Sequence, residues 1–300
     1  MTAPQSDWLA ERFEEHRAHL RAVGYRMLGS LSDADDAIQE TWLRLNRFDP
    51  RTIDNLGGWL TTVIARVCLD MLRSRKVRGE QALGTRVPDP IVSHEDGFDP
   101  EHDALLADSL GLALIVVLET LPPAERLAFV LHDMFDVPFE EIGPILGRSS
   151  SAARQLASRG RRRVRGATPV PDVDLARQRE VVDAFLAAAR DNDFDALVAL
   201  LDPDVVLRAD RGAPPTGVSR VVRGARAAAE NALKFWRIAG SAQPALVNGA
   251  AGIVAFARDG QPFSVVAFTV RGGKIVEIDV LADPVRLSRL NLPRSDDQAG

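Results

Sequence analysis

A single cysteine, Cys68, in a chain of 300 residues rules out an intramolecular disulfide and points to a reducing compartment. It falls on the apolar stripe of a helical segment, where a small buried hydrophobe is expected rather than a reactive thiol. Histidine is scarce too. His16, His19, His94, His102 and His132 are scattered and form no ligand spacing with the cysteine, so no metal centre and no cofactor are expected. Long hydrophobic runs are missing. The longest aliphatic stretch, LALIVVL at 112–118, falls far short of the ~20 residues of a bilayer span. The N-terminal MTAPQSDWLAERFEEHR has no basic stretch leading into an apolar core, so no signal peptide is expected. The expected location is cytoplasmic, without membrane attachment. The chain also lacks an overall positive charge: its net charge of −5 excludes a uniformly basic nucleic-acid coat.

The charge is segregated instead. Residues 44–78 hold eight Lys or Arg against three Asp, whereas residues 81–120 hold Arg86 against eight acids. Residues 139–166 turn basic again, with seven Arg against Glu140 and Glu141. An acidic segment thus lies between two basic ones and could occupy them until DNA or a partner displaces it.

The most informative stretch is 121–165, LPPAERLAFVLHDMFDVPFEEIGPILGRSSSAARQLASRGRRRVR. It reads as a helix followed by a helix-turn-helix, a unit that places its second helix in the DNA major groove. A short helix over 138–146 carries Phe139, Ile142 and Leu146 at helical spacing, and Pro144 inside it should kink or shorten it. Gly147 suits the turn, since glycine accepts the left-handed conformation that ends helices. Ser149, Ser150 and Ser151 offer N-caps. In the next helix Ala153, Leu156, Ala157, Gly160 and Val164 share one face, leaving Arg154, Gln155, Ser158, Arg159, Arg161, Arg162 and Arg165 outside. An ordinary solvated basic helix would explain the charge but not the turn glycine, the caps and the small-residue stripe together.

At 46% hydrophobic residues, the chain can build two or three domains. Residues 1–79 read as all-helical. A helix over 8–27 ends near Gly29. A second helix is capped by Ser32, with Asp35 three residues on, and turns Ile38, Trp42 and Leu45 inward. After a turn-rich loop at 48–58, a third helix runs over 59–76 with Leu60, Val63, Ile64, Val67, Cys68, Met71 and Leu72 as its buried stripe. Residues 80–104, with Pro88, Pro90, Pro100 and many acids, read as a linker of little periodicity. Residues 105–168 form a four-helix unit ending in the helix-turn-helix. Residues 172–290 change character: helices at 174–191 and 193–201, a strand at 204–210, a helix at 224–237, then a meander of β-rich segments with Gly272–Gly273 as a hairpin turn. The expected architecture is multidomain, two all-α domains followed by an α+β domain whose curved sheet closes on helices to make a pocket. Residues 291–300 read as a flexible tail.

The stretches 25–45, 55–76 and 121–165 together resemble, in order, the two conserved domains of extracytoplasmic-function RNA polymerase sigma factors. Residues 172–290 resemble SnoaL-like domains, cone-shaped α+β barrels, and the whole chain is similar to the sigma J type, in which that domain follows the sigma region. The resemblance implies a regulated sigma factor, not an enzyme. Its partners would be core RNA polymerase, through the clamp helices of the largest subunit and the flap region, and promoter DNA, with a small ligand in the C-terminal domain as a further candidate. Asp35, Asp36, Gln39, Glu40 and Leu43 on the 33–47 helix would dock on polymerase; a solvated acidic face is the plainer alternative. Arg51, Asn55, Trp59, Arg66 and Arg73 would hold the melted −10 strand, which needs cations along the backbone and surfaces for flipped bases. Ser150, Arg154, Gln155, Arg159 and Arg162 would read the −35 duplex, and Arg161, Arg163 and Arg165 would meet its phosphates.

The regulatory interface implied by that type falls on Pro88, Asp89 and Pro90, on Asp210, Arg211 and Gly212, and on Asp283, Pro284 and Leu287. Each stretch departs from the family pattern. Arg86-Val87-Pro88-Asp89-Pro90 replaces Trp-Leu-Pro-Glu-Pro, Asp210-Arg211-Gly212-Ala213 replaces Asp-Gly-Gly-Gly, and Asp283-Pro284-Val285-Arg286-Leu287 replaces Asn-Pro-Asp-Lys-Leu. Two alternatives stand beside this reading. One is a free-standing helix-turn-helix regulator with a ligand-sensing domain. The other is a SnoaL-like isomerase or cyclase tethered to DNA, for which Asp210 and Asp279, partnered by Arg208, are the strand-borne acids that could face inward.

Overall fold

The computed structural model of the protein describes residues 3–48, 53–78, 86–93, 111–167, 172, 174–212, 219–290 and 292. The chain divides into two compact units. The first takes Met1–Gln81, Asp103–Ala107 and Val117–Ala167; the second takes Ala82–His102, Asp108–Val116 and Thr168–Gly300. Among the described residues no helix is long and apolar enough to cross a membrane.

In the first unit, α1 (Ala3–Leu28) ends at Gly29, whose φ of +65° closes the helix as expected. The cap of α2 (Leu31–Leu45) lies two residues before the expected Ser32. Ser30 accepts a hydrogen bond from the Asp33 amide at 3.3 Å, because Gly29 has already turned the chain. Ala34, Ala37, Ile38, Thr41 and Leu45 are buried, and Trp42 is half-buried, edge-on to Phe13 at 5.0 Å. Small residues let α1 and α2 meet closely: a Cβ on Gly24 would lie 3.0 Å from that of Ala34. The long α3 (Leu56–Arg78) buries the expected stripe, except that Met71 is half-buried, and buries Ala65 and Leu69 as well. Burial pushes the Cys68 thiol up to about 12, which leaves it an inert core residue.

That wider burial of α3 has a cause. The two helical regions expected to be separate form one unit, in which α3 packs on α5 (Pro123–Phe129) and α6 (Phe139–Leu146). Arg126, 2% exposed, donates to the Met27 carbonyl oxygen at 2.8 Å, and the Arg26 guanidinium stands over the Phe135 ring at 4.8 Å. Helix α4 (Leu112–Thr120) precedes α5, and a π-helical turn, Val130–Met134, extends α5.

The second unit is built on a sheet of seven strands in the order β1-β4-β5-β6-β7-β2-β3. The strands are β1 (Val92–Ser93), β2 (Leu201–Asp210), β3 (Arg220–Arg223), β4 (Ser241–Val247), β5 (Ala250–Phe256), β6 (Pro262–Arg271) and β7 (Lys274–Leu281). The helices α8 (Leu175–Arg190), α9 (Phe194–Leu200) and α10 (Ala225–Trp236) cover one face, and a short α11 (Pro284–Leu287) follows β7. The fold is α+β: β4 to β7 form the expected meander, each antiparallel to the next, and β2 joins its far side by running parallel to β7. The Gly272–Gly273 turn has φ of +59° and +74°, and Asp172 holds it by accepting from both amides at 3.0 and 3.2 Å. Asn248–Gly249 makes a second such turn, at 51° and 75°, between two of the expected β-rich segments.

The largest correction concerns the expected linker. Within 80–104, residues 86–93 are an integral part of the second unit. Val87 and Ile91 are buried, and Val92–Ser93 pairs antiparallel with β4 (Val92↔Val247, Ser93↔Leu246). The Ile91 amide donates to Asn248 Oδ1 at 3.0 Å, and the Asn248 amide donates back to the Ile91 carbonyl oxygen at 2.8 Å. Val87, Val92, Leu112 and Leu287 close one apolar cluster with Val247, Val254, Phe256 and Val265.

Candidate nucleic-acid and partner interfaces

The helix-turn-helix is α6, the Gly147 turn (φ +65°) and α7 (Ser150–Ala167). Ser149 is the working cap, accepting from the Ala152 amide at 3.2 Å. Ser149→Ala is expected to cost about 1 kcal/mol in equilibrium unfolding and Ser149→Asp almost nothing; equal losses would show that the cap is idle. Pro144 lies inside α6 on its exposed side, where the missing bond to Glu140 opens towards water, and α6 is only eight residues long. Ala153, Leu156, Ala157 and Gly160 are buried, and Gly160 lets α7 approach α5: a Cβ there would sit 3.1 Å from the Glu125 carbonyl oxygen.

The structure sorts the arginines of α7. Arg161 Nε donates to Asp133 at 2.8 Å, Arg163 pairs with buried Glu125 at 2.5 Å, and Arg159 lies 3.7 Å from Glu125. Arg154, Gln155, Arg162 and Arg165 are exposed, and Ser150 is half-buried at the helix start. Arg154 stacks its guanidinium over Phe139 at 5.2 Å, which preorganises it on the exposed first turns. The result is an exposed N-terminal half of α7 that presents Arg154 and Gln155, the half that enters a major groove in helix-turn-helix units, with the other arginines of the helix following from Arg159 onward.

On α2, Asp36, Gln39, Glu40 and Leu43 form one outward stripe at i, i+3, i+4 and i+7. Leu43 is 48% exposed, an apolar residue rimmed by carboxylates, which suits a basic helical partner with an apolar seam. Asp35 is exposed and pairs with Arg21 at 3.1 Å, and Glu40 accepts from Arg44 at 2.8 Å.

Of the residues expected to hold melted DNA, Arg51 lies outside the described residues. Asn55 is occupied as the N-cap of α3, accepting from the Gly58 amide at 3.0 Å. Arg66 and Arg73 are exposed, Arg73 lying 3.7 Å from Asp70. Trp59 is half-buried and makes an edge contact with Phe48 at 5.3 Å and 70°. Phe48, 54% exposed, was missed from sequence. Its signal was a lone aromatic just beyond an amphipathic helix, and with Trp59 it forms an aromatic ledge able to stack bases.

The three stretches expected to form a regulatory interface converge within the second unit, on a residue the sequence reasoning left out. Arg286 donates from Nε to Asp89 at 2.7 Å, from Nη1 to Asp210 at 2.8 Å and from Nη2 to the Val87 carbonyl oxygen at 2.6 Å. Asp210 is saturated: it also accepts from the Val87 amide at 3.0 Å, the Gly212 amide at 3.1 Å and Ser219 Oγ at 2.8 Å. Gly212 must be glycine, with φ of +83° and a Cβ position 2.8 Å from Asp283 Oδ2. Asp283 caps α11, accepting from the amides of Val285 and Arg286 at 2.9 and 3.4 Å. Pro88, Pro90 and Leu287 are buried beside this clasp, while Pro284 is exposed. The Arg211 side chain is not part of it and lies at the mouth of a cavity.

That cavity, about 90 Å³, lies between the sheet and α10 and is lined by Leu207, Ala209, Ile278 and Val280, among others. Period-2 alternation therefore sends Arg208, Asp210, Glu277 and Asp279 to other surroundings. Neither Asp210 nor Asp279 lines the cavity, and among the described residues its lining holds no acid, histidine or cysteine to move a proton. Arg208 instead donates to Asp279 and to Glu277, both at 3.0 Å. Burial raises the Asp279 carboxyl to about 6, with Glu277 adding to the rise and Arg208 opposing it.

Comparison with known proteins agrees with this geometry. Residues 12–78 match the model for Sigma-70 region 2, and residues 111–164 match that for Sigma-70, region 4. The chain is 41% identical over 286 residues to the ECF RNA polymerase sigma factor SigJ of Mycobacterium tuberculosis H37Rv, covering 91% of each. It is 35% identical over 297 residues to the probable ECF sigma factor SigI of M. tuberculosis CDC 1551, covering 95% of this chain and 97% of the relative. The crystal structure of M. tuberculosis SigJ superposes with a TM-score of 0.76 at 38% identity, covering 95% of this chain and all of that one.

Proposed function

Because the chain belongs to the extracytoplasmic-function RNA polymerase sigma factors, we propose that its helical modules divide promoter recognition between them and that its C-terminal domain sets when they act. As a sigma factor it binds core polymerase and directs promoter-specific initiation, so it works in the cytoplasm, where polymerase is. The acid-rimmed Leu43 on α2 is the docking surface for the largest core subunit. The Phe48–Trp59 ledge, with Arg66 and Arg73, takes the melted −10 strand. Ser150, Arg154 and Gln155 read the −35 duplex, Arg162 and Arg165 attract its phosphates, and Arg159, Arg161 and Arg163 reach DNA from their acidic anchors. The exposed, caged first turns of α7 carry this reading. Arg154→Ala is expected to lose about 1–3 kcal/mol of discrimination at one −35 position, measured as relative initiation across a promoter library. A uniform loss over all sequences would move Arg154 to a phosphate role.

Regulation follows from where residues 86–93 are held. They join region 2 to region 4 in the chain, yet they are clasped within the C-terminal unit. Holding that segment fixes how much chain is free between the two promoter-reading modules. The test is transcription in vitro with purified core polymerase and the full chain. Specific starts absent with core alone are expected, and Arg286→Ala should change their yield without moving them. No specific start on any promoter of a genomic library would overturn the recognition roles; unchanged yield with Arg286→Ala would remove the regulatory one.

A further inference from the structure

The cavity of the C-terminal unit has a chemical bias of its own. Its floor is apolar strand residues, Ile253, Val266 and Phe268, and its walls are rings: Phe185 edge-on to Phe268 at 5.5 Å, and Phe235 flanked by Phe263 at 5.5 Å and Trp236 at 6.1 Å. Its volume, about 90 Å³, is below the ~150 Å³ cavity that takes benzene dry. The cavity therefore admits one ring with its rim in the mouth, not a fused polycycle.

Two polar features break the apolar lining. The first is Asn231. Its Nδ2 donates to the Ala227 carbonyl oxygen at 2.7 Å, which only the amino end of the amide can do, so the other end is the acceptor. That acceptor, Oδ1, is buried and has no hydrogen-bond partner among the described residues. A buried acceptor left unpaired costs stability, which a donor from a bound molecule would recover. The second is the mouth. Arg211, Arg220 and Lys234 stand there exposed, with no ion pair among the described residues and no carboxylate in the lining to balance them. Three cations around a low-dielectric opening raise the local concentration of anions.

The geometry points to a binding site for a small aromatic carboxylate that carries a hydrogen-bond donor, the hydroxybenzoate class. Its ring lies among Phe185, Phe235 and Phe268, its hydroxyl donates to Asn231 Oδ1, and its carboxylate meets Arg220 and Lys234 at the mouth. With no acid, histidine or cysteine in the lining among the described residues, the molecule is held rather than turned over. The inference deepens the regulatory reading above by naming the effector's chemistry.

Binding is measured by calorimetric titration of the full chain without polymerase or DNA, so a negative result leaves promoter direction untouched. The probes are 4-hydroxybenzoate, benzoate, benzyl alcohol and benzylamine. Saturable binding of one 4-hydroxybenzoate per chain is expected, with benzoate about 10-fold weaker for want of the donor. Asn231→Leu should abolish that preference, a change that a loss of packing alone would not produce. Arg220→Glu with Lys234→Glu, both on the surface, should weaken the two carboxylates at least ~10-fold while leaving benzyl alcohol within about twofold. No saturable heat from any probe up to ~10 mM overturns the site, since weaker binding would be no tighter than ~−3 kcal/mol. Benzylamine binding more tightly than benzoate, or affinities unmoved by either variant, would overturn it as well.

Discussion

Arg286→Ala should release residues 86–93 from the C-terminal unit. Its guanidinium faces two buried carboxylates, Asp89 and Asp210, and a buried carbonyl oxygen, and it bridges both acids. Truncation leaves both charges in a poorly solvated pocket without their shared partner, which costs about 3–5 kcal/mol. The Val87 and Ile91 amides report the result. Both donate to side chains across the clasp or just beside it, and their hydrogen exchange should speed up by ~100-fold or more if opening costs that much less. Arg286→Lys keeps a charge but not the fork, and should fall between the two. Unchanged protection at Val87 in the alanine variant would mean that the apolar contacts of Val87, Val92 and Leu287 hold the segment alone.

Arg208→Ala is the second large effect, and it carries a pH signature. The removed guanidinium serves Asp279 and Glu277 together, and Glu277 Oε2 already lacks a hydrogen-bond partner among the described residues. At neutral pH about 3–5 kcal/mol should be lost, because two buried carboxylates then confront each other. Below about pH 4 the loss should shrink, because Asp279 takes up a proton more readily in the folded chain than in the unfolded one. The direction follows from its raised carboxyl, about 6 folded against 3.8. The stability this group contributes is present in full below the unfolded value and is lost as pH rises through the folded one. In the otherwise unaltered chain, Asp279→Asn should therefore remove a fall of roughly 2–3 kcal/mol between about pH 4 and 6. Urea unfolding of the variants across that range reads both effects, and parallel curves would show that Asp279 is ionised throughout.

What could be read from sequence was local. Gly147, the serine cap and the small-residue stripe of α7 obey rules spanning a few residues, so the helix-turn-helix came out with its buried face correct. The outward stripe of α2 did too. The linker did not, since a two-residue strand has no periodicity to detect. A segment rich in acid and proline is read as unpaired when the arginine that neutralises Asp89 is 197 residues away. Asn248–Gly249 is a strong two-residue hairpin signal, and it falls where one expected β-rich segment gives way to the next. Alternation along β2 and β7 already placed Asp210 and Asp279 on the strand face opposite Leu207, Ala209, Ile278 and Val280, the face that lines the cavity. The pairing of region 2 with region 4 through Arg126 and Met27 could not be read, because a buried arginine looks like any surface one until its acceptor is located.

The interleaved chain order also bears on how the protein is made. Residues 86–93 leave the ribosome long before Asn248, 157 positions beyond Ile91, to which they hydrogen-bond. The whole helix-turn-helix is synthesised in that interval. A nascent molecule therefore has its DNA-reading parts complete while the segment joining them is still unfastened, and the sheet gains its last edge strand only near the end of translation. Pausing or premature termination after residue 167 would thus deliver a species whose promoter-reading modules are complete while the segment joining them has nothing to fasten it.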